Sequence, residues 1–356
     1  MNRAPILFRC DATPDTGWES FYQCMVLANA MQRRRRPTWF LSRIDPLSLA
    51  VTIHRGGHEW NETPTTFGTA DDLDATLREA RRLNAAAVVI CGHDLNEDYL
   101  RELDASGVLV VVVDSQADVC FPNRLVVNPF LGTGRERYRH ERGTQLLLGS
   151  RYALVRPLVR RLRPIRSQEP AQPFRALVAL GDDDPTGYTL DVARELLETD
   201  GLNRVDVFVR SHHPRLEELK ALAADNLGRL DVVTEGPELS ARITRCHFAV
   251  TCGDGMSLEL ACVGVPQLMT VLEPRHQPNA VRLDEEGVAT NLGTAGEVKP
   301  ADLQQAVQIL LTDPLERQGM ARCGRQRIDG RGPDRLVCAV EVLLHPAQPA
   351  GLRLAA

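Results

Sequence analysis

Short apolar runs alternate with longer stretches of helical periodicity along almost the whole chain. Ile6 to Asp11 reads as a strand, and Glu19 to Gln32 as a helix with apolar residues at helical spacing. Thr38 to Ser42 and Leu49 to His54 read as further strands. A charged helix from Asp71 to Leu83 follows, then the strand Ala86 to Cys91 and a helix from Asn96 to Ala105. The next strand, Val108 to Asp114, is an unbroken apolar run, as a parallel strand buried on both faces requires. Leu125 to Asn128 is a short strand. Arg163 to Pro173 holds three prolines among charged residues without periodicity, which is the pattern of a linker.

Beyond the linker the alternation restarts. Strands are predicted at Arg175 to Leu180, Val205 to Arg210, Leu230 to Thr234, Phe248 to Thr251 and Gln267 to Val271. Helices are predicted between them at Thr186 to Glu198, Arg215 to Ala224, Pro237 to Thr244 and Ser257 to Val263. Helices at Asn279 to Glu286, Pro300 to Leu311 and Pro314 to Ile328 close the series. Two such arrays imply an α/β protein with two doubly wound parallel sheets, residues 1–162 and 174–356, facing a central cleft. Ligands of such sheets bind beyond the carboxyl ends of the strands, so the cleft is the expected site.

The 356 residues suit two domains, and 43% hydrophobic with 25% charged residues is ordinary for a soluble protein. A formal net charge of -5 argues against a nucleic-acid partner. The basic run Arg33 to Arg36 fits a solvated helix end that complements the dipole, or a weak contact with anionic lipid. No apolar stretch is long enough for stable membrane insertion, and the first residues lack a signal-peptide core. The nine cysteines are scattered without CxxC pairs, and Cys91, Cys246 and Cys262 sit in apolar runs. A reducing, cytoplasmic setting without disulfides or structural zinc is expected.

The strongest local signal runs from Thr251 through Gly253, Asp254, Gly255, Met256 and Ser257 to Glu259. Glycines between a strand end and a helix start let backbone amides approach an anion, and the helix N-terminus adds favourable partial charge. Ser257 suits the N-cap or a phosphate contact. Glu259 suits two hydrogen bonds from a ribose diol, unless it only complements the dipole. A second loop, Gly181 to Pro185, places Asp182, Asp183 and Asp184 at a strand end, where they would bind a divalent cation or simply start the next helix. In the first half, Asp11 and Glu19 fall where they would face the cleft. Beside Trp18 the Glu19 carboxylate is a candidate general base with a raised pKa, or else an ordinary glutamate of a helix's first turn. His212-His213-Pro214 reads as a surface turn, and His276, just after a strand, is the most plausible acid/base histidine.

Taken in order, these motifs resemble the UDP-sugar hydrolases of the pseudaminic acid pathway. These form the PseG/SpsG-like branch of the GT-B superfamily, which also contains the MurG-type glycosyltransferases. The likeness runs from Ile6 to Ile328 and rests on Arg9, Asp11 and Gly17, then Val113-Asp114 and Val127-Asn128-Pro129. Its most specific stretch is Leu147 to Arg156, which resembles the family's "LLGPxYALLR". Gly181, Asp184, Pro185, Glu259, Gly264, Pro266, Gln277, Asn279, Ala280 and Gly287 extend it.

The resemblance implies a GT-B fold with a UDP-linked sugar held by the second domain. It makes Glu259 the ribose ligand, Gly253 to Ser257 the diphosphate loop, and Gln277 and Asn279 part of the sugar-proximal loop. Water attacks the anomeric carbon in that family, with no metal or other cofactor. Three departures stand out. The family's first helix opens with glycine, one residue, glycine and a histidine base; here Gly17, Trp18, Glu19 and Ser20 occupy those places. The family's "GGST" becomes Gly253-Asp254-Gly255-Met256, and its sugar-side asparagine becomes His276. The expected activity is cleavage of a nucleotide-activated amino sugar by hydrolysis or glycosyl transfer, with Glu19 and His276 replacing the missing base. The alternative is a catalytically degenerate member that binds a nucleotide-sugar or regulates.

Overall fold

The computed structural model describes residues 3–181, 184, 187–234 and 236–345. Strands β1 (Ile6–Arg9), β2 (Thr38–Ser42), β3 (Glu59–Glu62), β4 (Ala87–Cys91) and β5 (Leu109–Val113) build the first lobe with β7 (Leu125–Asn128) and β9 (Gln145–Leu148). A separate two-stranded ladder joins β6 (Cys120–Phe121) to β8 (Arg139–His140). The main sheet is parallel throughout, in the order β3-β2-β1-β4-β5-β7-β9. Its central strands are buried along their length, which is why β4 and β5 are written almost entirely in valine, isoleucine and alanine.

The second lobe holds β10 (Arg175–Ala179), β11 (Arg204–Phe208), β12 (Leu230–Val233), β13 (Phe248–Thr251), β14 (Gln267–Val271) and β15 (Thr290–Thr294). These strands are also all parallel, in the order β12-β11-β10-β13-β14-β15. In both sheets the order reverses beside the first strand, between β1 and β4 and between β10 and β13. Such a reversal leaves a crevice beyond the carboxyl ends of the two strands, because their crossover helices leave on opposite faces.

The helices, in chain order, are α1 (Glu19–Arg33), α2 (Ser48–Arg55), α3 (Ala70–Leu83), α4 (Glu97–Ala105), α5 (Pro157–Arg160), α6 (Tyr188–Leu197), α7 (Leu216–Asp225) and α8 (Gly236–Arg245), then α9 (Gly255–Val263) and α10 (Gln277–Glu285). Helices α11 (Pro300–Thr312), α12 (Pro314–Arg327) and α13 (Gly332–Leu344) follow. Helix α9 is buried on every side from Met256 to Val263, so it is a central helix with no solvent face. Helix α13 returns to the first lobe, where Leu336, Val337 and Val340 join the core built on α1 and β1.

Leu49 to His54, read as a strand, is part of helix α2. Leu49, Ala50 and Ile53 are its buried residues, a helical and not an alternating spacing. The strand that pairs with β2 is β3, whose Glu-Trp-Asn-Glu sequence carries no apolar run because it is a half-exposed edge. The basic run forms an exposed end of α1 at Arg33 to Arg35, with Arg36 as the exception. Arg36 is 3% exposed and pairs with Glu341 of α13, and Arg33 pairs with Asp334. Cys91, Cys246 and Cys262 are buried, and all nine cysteines are free. No described helix is long and apolar enough to cross a membrane.

Candidate functional site between the lobes

The chain leaves β1 as Cys10-Asp11 and leaves β4 as Gly92-His93; in the other lobe it leaves β10 as Leu180-Gly181 and β13 as Cys252-Gly253-Asp254. These four strand ends surround two adjoining chambers. The narrower, of about 250 Å³, is lined by Glu19 and Tyr22 of α1, Arg156, Arg210, Gly255 and Glu259, with Met256 and Phe130 among its apolar walls. The wider, of about 830 Å³, lies on the first lobe's side and is lined by Gly17, Trp18, Ser20, Arg43, His93 and Arg275. Glu273 lines both.

Glu19, Arg275 and His276 stand where the chambers meet. His276 Nε2 lies 3.1 Å from Glu19 Oε2, and Arg275 Nε lies 3.5 Å from the same oxygen. Burial alone would raise the Glu19 pKa. The charge and hydrogen bond of His276, with Arg275 behind them, instead hold it down at about 2. The raised pKa expected beside Trp18 is therefore reversed, because sequence gave no sign of the cations across the cleft. The His276 pKa moves the other way. Burial lowers it, but Glu19 and Asp254 outweigh burial and Arg275 and raise it above the usual histidine value. Both shifts favour the charged forms of the pair, and His276 Nδ1 is buried without a hydrogen-bond partner.

His93 was not singled out by sequence, since nothing local marks it; only the ends of β1 and β4 bring it beside α1. Burial, then the charges of Arg275 and His276, push its pKa down to about 4. It is a neutral imidazole with a buried, unpartnered Nε2. Asp11, in contrast, is fully committed. Arg9 donates to it from a guanidinium that is 0% exposed, and Arg43 donates through its backbone N–H at 2.9 Å and its Nε at 3.1 Å. It lines the wider chamber as the holder of Arg43 and not as a free carboxylate. Ser20 lines the same chamber.

In the second lobe the expected anion loop is organised differently. The N-cap of α9 is Asp254, not Ser257: the Asp254 carboxylate accepts from Ser257 N at 3.2 Å. Ser257 Oγ turns inward and accepts from Gly253 N at 2.9 Å. The positive end of the helix is thus already answered by a carboxylate of the chain itself. Gly253 has φ +82°, and an added Cβ would lie 3.1 Å from Ala280 Cβ. Gly181, at φ +91°, faces the Asp254 carboxylate at 3.2 Å from such a Cβ, whereas a Cβ on Gly255 would meet nothing within 4 Å.

Glu259 is 4% exposed and is gripped by Arg156, the last residue of the Leu147 to Arg156 stretch. The Arg156 backbone N–H donates to Oε1 at 2.7 Å, and its guanidinium Nε reaches Oε1 at 2.9 Å and Oε2 at 2.8 Å. Its ribose role as expected from sequence therefore competes with an arginine that takes both oxygens. Asn279 is a clasp. Its Nδ2 donates to Gly253 O at 2.6 Å while its Oδ1 accepts from Leu131 N at 2.9 Å, so it ties the loop to the first lobe. Gln277 lies away from both chambers, in a groove beside Gly132 and Pro278.

His212-His213-Pro214 lies in a turn, closed by the His213 N–H donating to the Arg210 carbonyl at 3.0 Å, but the two imidazoles are turned inward. His212 packs tilted against Trp18 with ring centroids 4.2 Å apart, and His213 is 5% exposed and lies 3.7 Å from Asp184. Asp184 accepts from Tyr188 N and Thr189 N at 2.9 and 2.7 Å, so it starts helix α6. Asp182, Asp183 and Pro185 lie outside the described residues. Among the described residues no group of three or more metal-ligating side chains is assembled.

No known family profile matches the chain. Spore coat polysaccharide biosynthesis protein SpsG of Bacillus subtilis is 23% identical over 222 residues, which is 61% of this chain and 64% of that protein. Among solved structures, MurG of Acinetobacter baumannii superposes with a TM-score of 0.65 at 15% identity, over 95% of this chain and 99% of its own. Spinosyn rhamnosyltransferase SpnG complexed with thymidine diphosphate gives 0.66 at 16%, over 95% and 100%. CalG4, the calicheamicin glycosyltransferase, gives 0.63 at 18%, over 98% and 100%. The fold is GT-B. Within that fold, the chambers described above lie in the cleft between the two parallel-sheet lobes.

Proposed function

We propose that this protein binds a nucleoside-diphosphate sugar, UDP-linked by the resemblance of its motifs, across the two chambers and cleaves the bond at the anomeric carbon. The observation that carries the reading is the meeting of the chambers at Glu19, Arg275 and His276, beyond the order reversals of both sheets. A narrow, largely apolar chamber suits a nucleoside, and the wider chamber with its mixed charges suits a sugar and the group that attacks it. The GT-B fold and the SpsG relative, whose name places it in polysaccharide biosynthesis, support the same class of substrate.

In this reading His93 Nε2 takes a proton from water, or from an acceptor hydroxyl, as its oxygen attacks the anomeric carbon. The anomeric C–O bond breaks, and the electron pair leaves with the diphosphate. Arg156, Arg210 and the protonated His276 line the narrow chamber and offset that charge. Glu19 keeps His276 protonated. Asp11 positions Arg43 beside the sugar. Ribose would enter hydrogen bonds with Glu259 by displacing part of the Arg156 grip. Hydrolysis and transfer differ only in the attacking oxygen. Incubation with UDP-, TDP-, CMP- and GDP-sugars, with and without an added acceptor, followed by product analysis distinguishes them; no product and no thermal shift with any of them would remove the proposal.

A second reading, a nucleotide-sugar-binding member without turnover, is favoured by the Asp254 cap on α9 and by the closed ion pair at Glu19. A carboxylate beside a diphosphate costs on the order of a kcal/mol or more at partly buried range. Binding of UDP-sugars with intact substrate recovered after long incubation would select this second reading.

A further inference from the structure

Behind the second lobe, at the amino ends of β13 and β14 and so opposite the cleft, lies a chamber of about 700 Å³ walled by the linker and by α12. Five arginines line it: Arg163 and Arg166 from the linker, and Arg317, Arg322 and Arg325 from α12. The lining includes one carboxylate, Glu169, which is paired with Arg317. The excess positive charge has a partial structural explanation. Arg163 donates to the carbonyls of Cys262 and Ile328 at 2.5 and 2.7 Å. Arg325 donates to those of Arg163 and Val263 at 2.7 and 3.2 Å, and Arg166 to Cys246 O at 2.6 Å. Two of these carbonyls, those of Cys262 and Val263, end α9, where cations complement the dipole.

That explanation leaves three things over. Carbonyls orient the guanidiniums but carry no net charge, so the mutual repulsion of the arginines stays uncompensated. The Arg325 pKa is lowered by burial and then by Arg163 and Arg166, the direction expected when cations crowd without an anion. Arg166 is 6% exposed, and its buried Nε has no acceptor. His247, 1% exposed on the same wall, accepts from Arg175 N at 3.1 Å through Nδ1, so its neutral ring carries the proton on Nε2. That Nε2 is also without a partner in hydrogen-bonding geometry, although the Pro170 carbonyl is close enough to draw on the ring. Four cations in excess of carboxylate charge, around a chamber open to solvent, are what a multiply charged small anion needs.

We propose that the arginine-lined chamber between the linker and α12 is a second binding site, separate from the cleft, for a small phosphorylated ligand. A ligand bound there joins the segment that connects the two lobes to a helix of the second lobe. It therefore stabilises the folded chain without entering the cleft.

The test uses inorganic diphosphate as the probe, by calorimetry and thermal melting at constant ionic strength, on the full chain. The cleft also takes a diphosphate in the reading above, so the sites are separated by variants. Arg322→Glu with Gln326→Glu changes two exposed side chains of the rear chamber, and Arg210→Ala changes the cleft. The expected result is diphosphate binding that survives Arg210→Ala and falls about tenfold or more in the double variant, with UDP binding unchanged in the double variant. Binding that survives the double variant, no binding at all, or equal stabilisation by chloride at matched ionic strength would each overturn the site. Whether UDP binds the cleft is read independently of these outcomes.

Discussion

Two helices start at the mouth of the cleft, one from each lobe, and they use their N-termini in opposite ways. Helix α9 is closed by its own residue: Asp254 caps it and Ser257 folds back on Gly253. Helix α1 has no side-chain cap, and its first residue, Glu19, reaches across to His276. One lobe has satisfied its helix dipole internally, while the other directs a charged group at its neighbour. A glycine-rich strand-to-helix turn is therefore not in itself a phosphate site; what matters is whether a carboxylate of the chain already occupies the helix start. In the reading proposed above, the cations that would face a diphosphate are side chains lining the narrow chamber, Arg156, Arg210 and His276.

The comparison breaks most severely at the Arg156–Glu259 pair, which ties α9 to the start of α5 in the wall of the narrow chamber. Glu259→Ala leaves the Arg156 guanidinium partly buried beside an empty site, with an expected loss of about 3 kcal/mol in unfolding free energy by urea titration. On the first-lobe side, His93→Ala is expected to lower kcat about a hundredfold with KM little changed, because a base acts on the attacking oxygen and not on substrate affinity. An unchanged kcat would return the role of base to another group. Gly253→Ala forces a side chain into left-handed backbone against Ala280 and is expected to cost about 2 kcal/mol, read from the same urea titrations. Asp254→Asn keeps a capping oxygen but removes the charge. It is expected to tighten UDP about tenfold, the size of one screened charge contact, while moving stability by less than about 1 kcal/mol.

The smallest effect lies in pH. The Glu19 pKa is depressed to about 2 in the folded protein, so its contribution is present above the unfolded value near 4.5 and is lost as pH falls toward 2. The His276 pKa is raised, so its contribution is full below about 6.5 and is lost as pH rises through the higher folded value. Stability attributable to the pair therefore peaks between about pH 5 and 6.5. Glu19→Gln should flatten that maximum in a series of thermal melts; a maximum that persists unchanged would show that the ion pair contributes nothing.

Much of the architecture was legible because parallel strands are buried on both faces and so appear as apolar runs, β5 being the plainest. Edges were not legible: β3 reads Glu-Trp-Asn-Glu and β15 reads Thr-Asn-Leu-Gly-Thr, since half-exposed strands need no such run. Helix α13 escaped notice although its apolar face is regular, and where that face docks is a tertiary fact. At the site, sequence placed Glu19, His276, Glu259 and the Gly253 loop at the cleft, because strand ends and helix starts are local features. It missed His93, Arg156 and Arg275 as partners of those residues. It also misjudged the Glu19 pKa, because these contacts join residues far apart in the chain, Arg156 with Glu259 and Arg275 with Glu19, and only the folded strand ends bring His93 beside them.

The central claim, a nucleotide diphosphate held between the lobes by side-chain cations, is tested most directly by calorimetric titration of UDP into the protein and its Arg156→Ala and Arg210→Ala variants. The account predicts one site per chain, weakened about tenfold or more by each substitution. No binding heat or thermal shift at millimolar UDP, or binding indifferent to both substitutions, would contradict it.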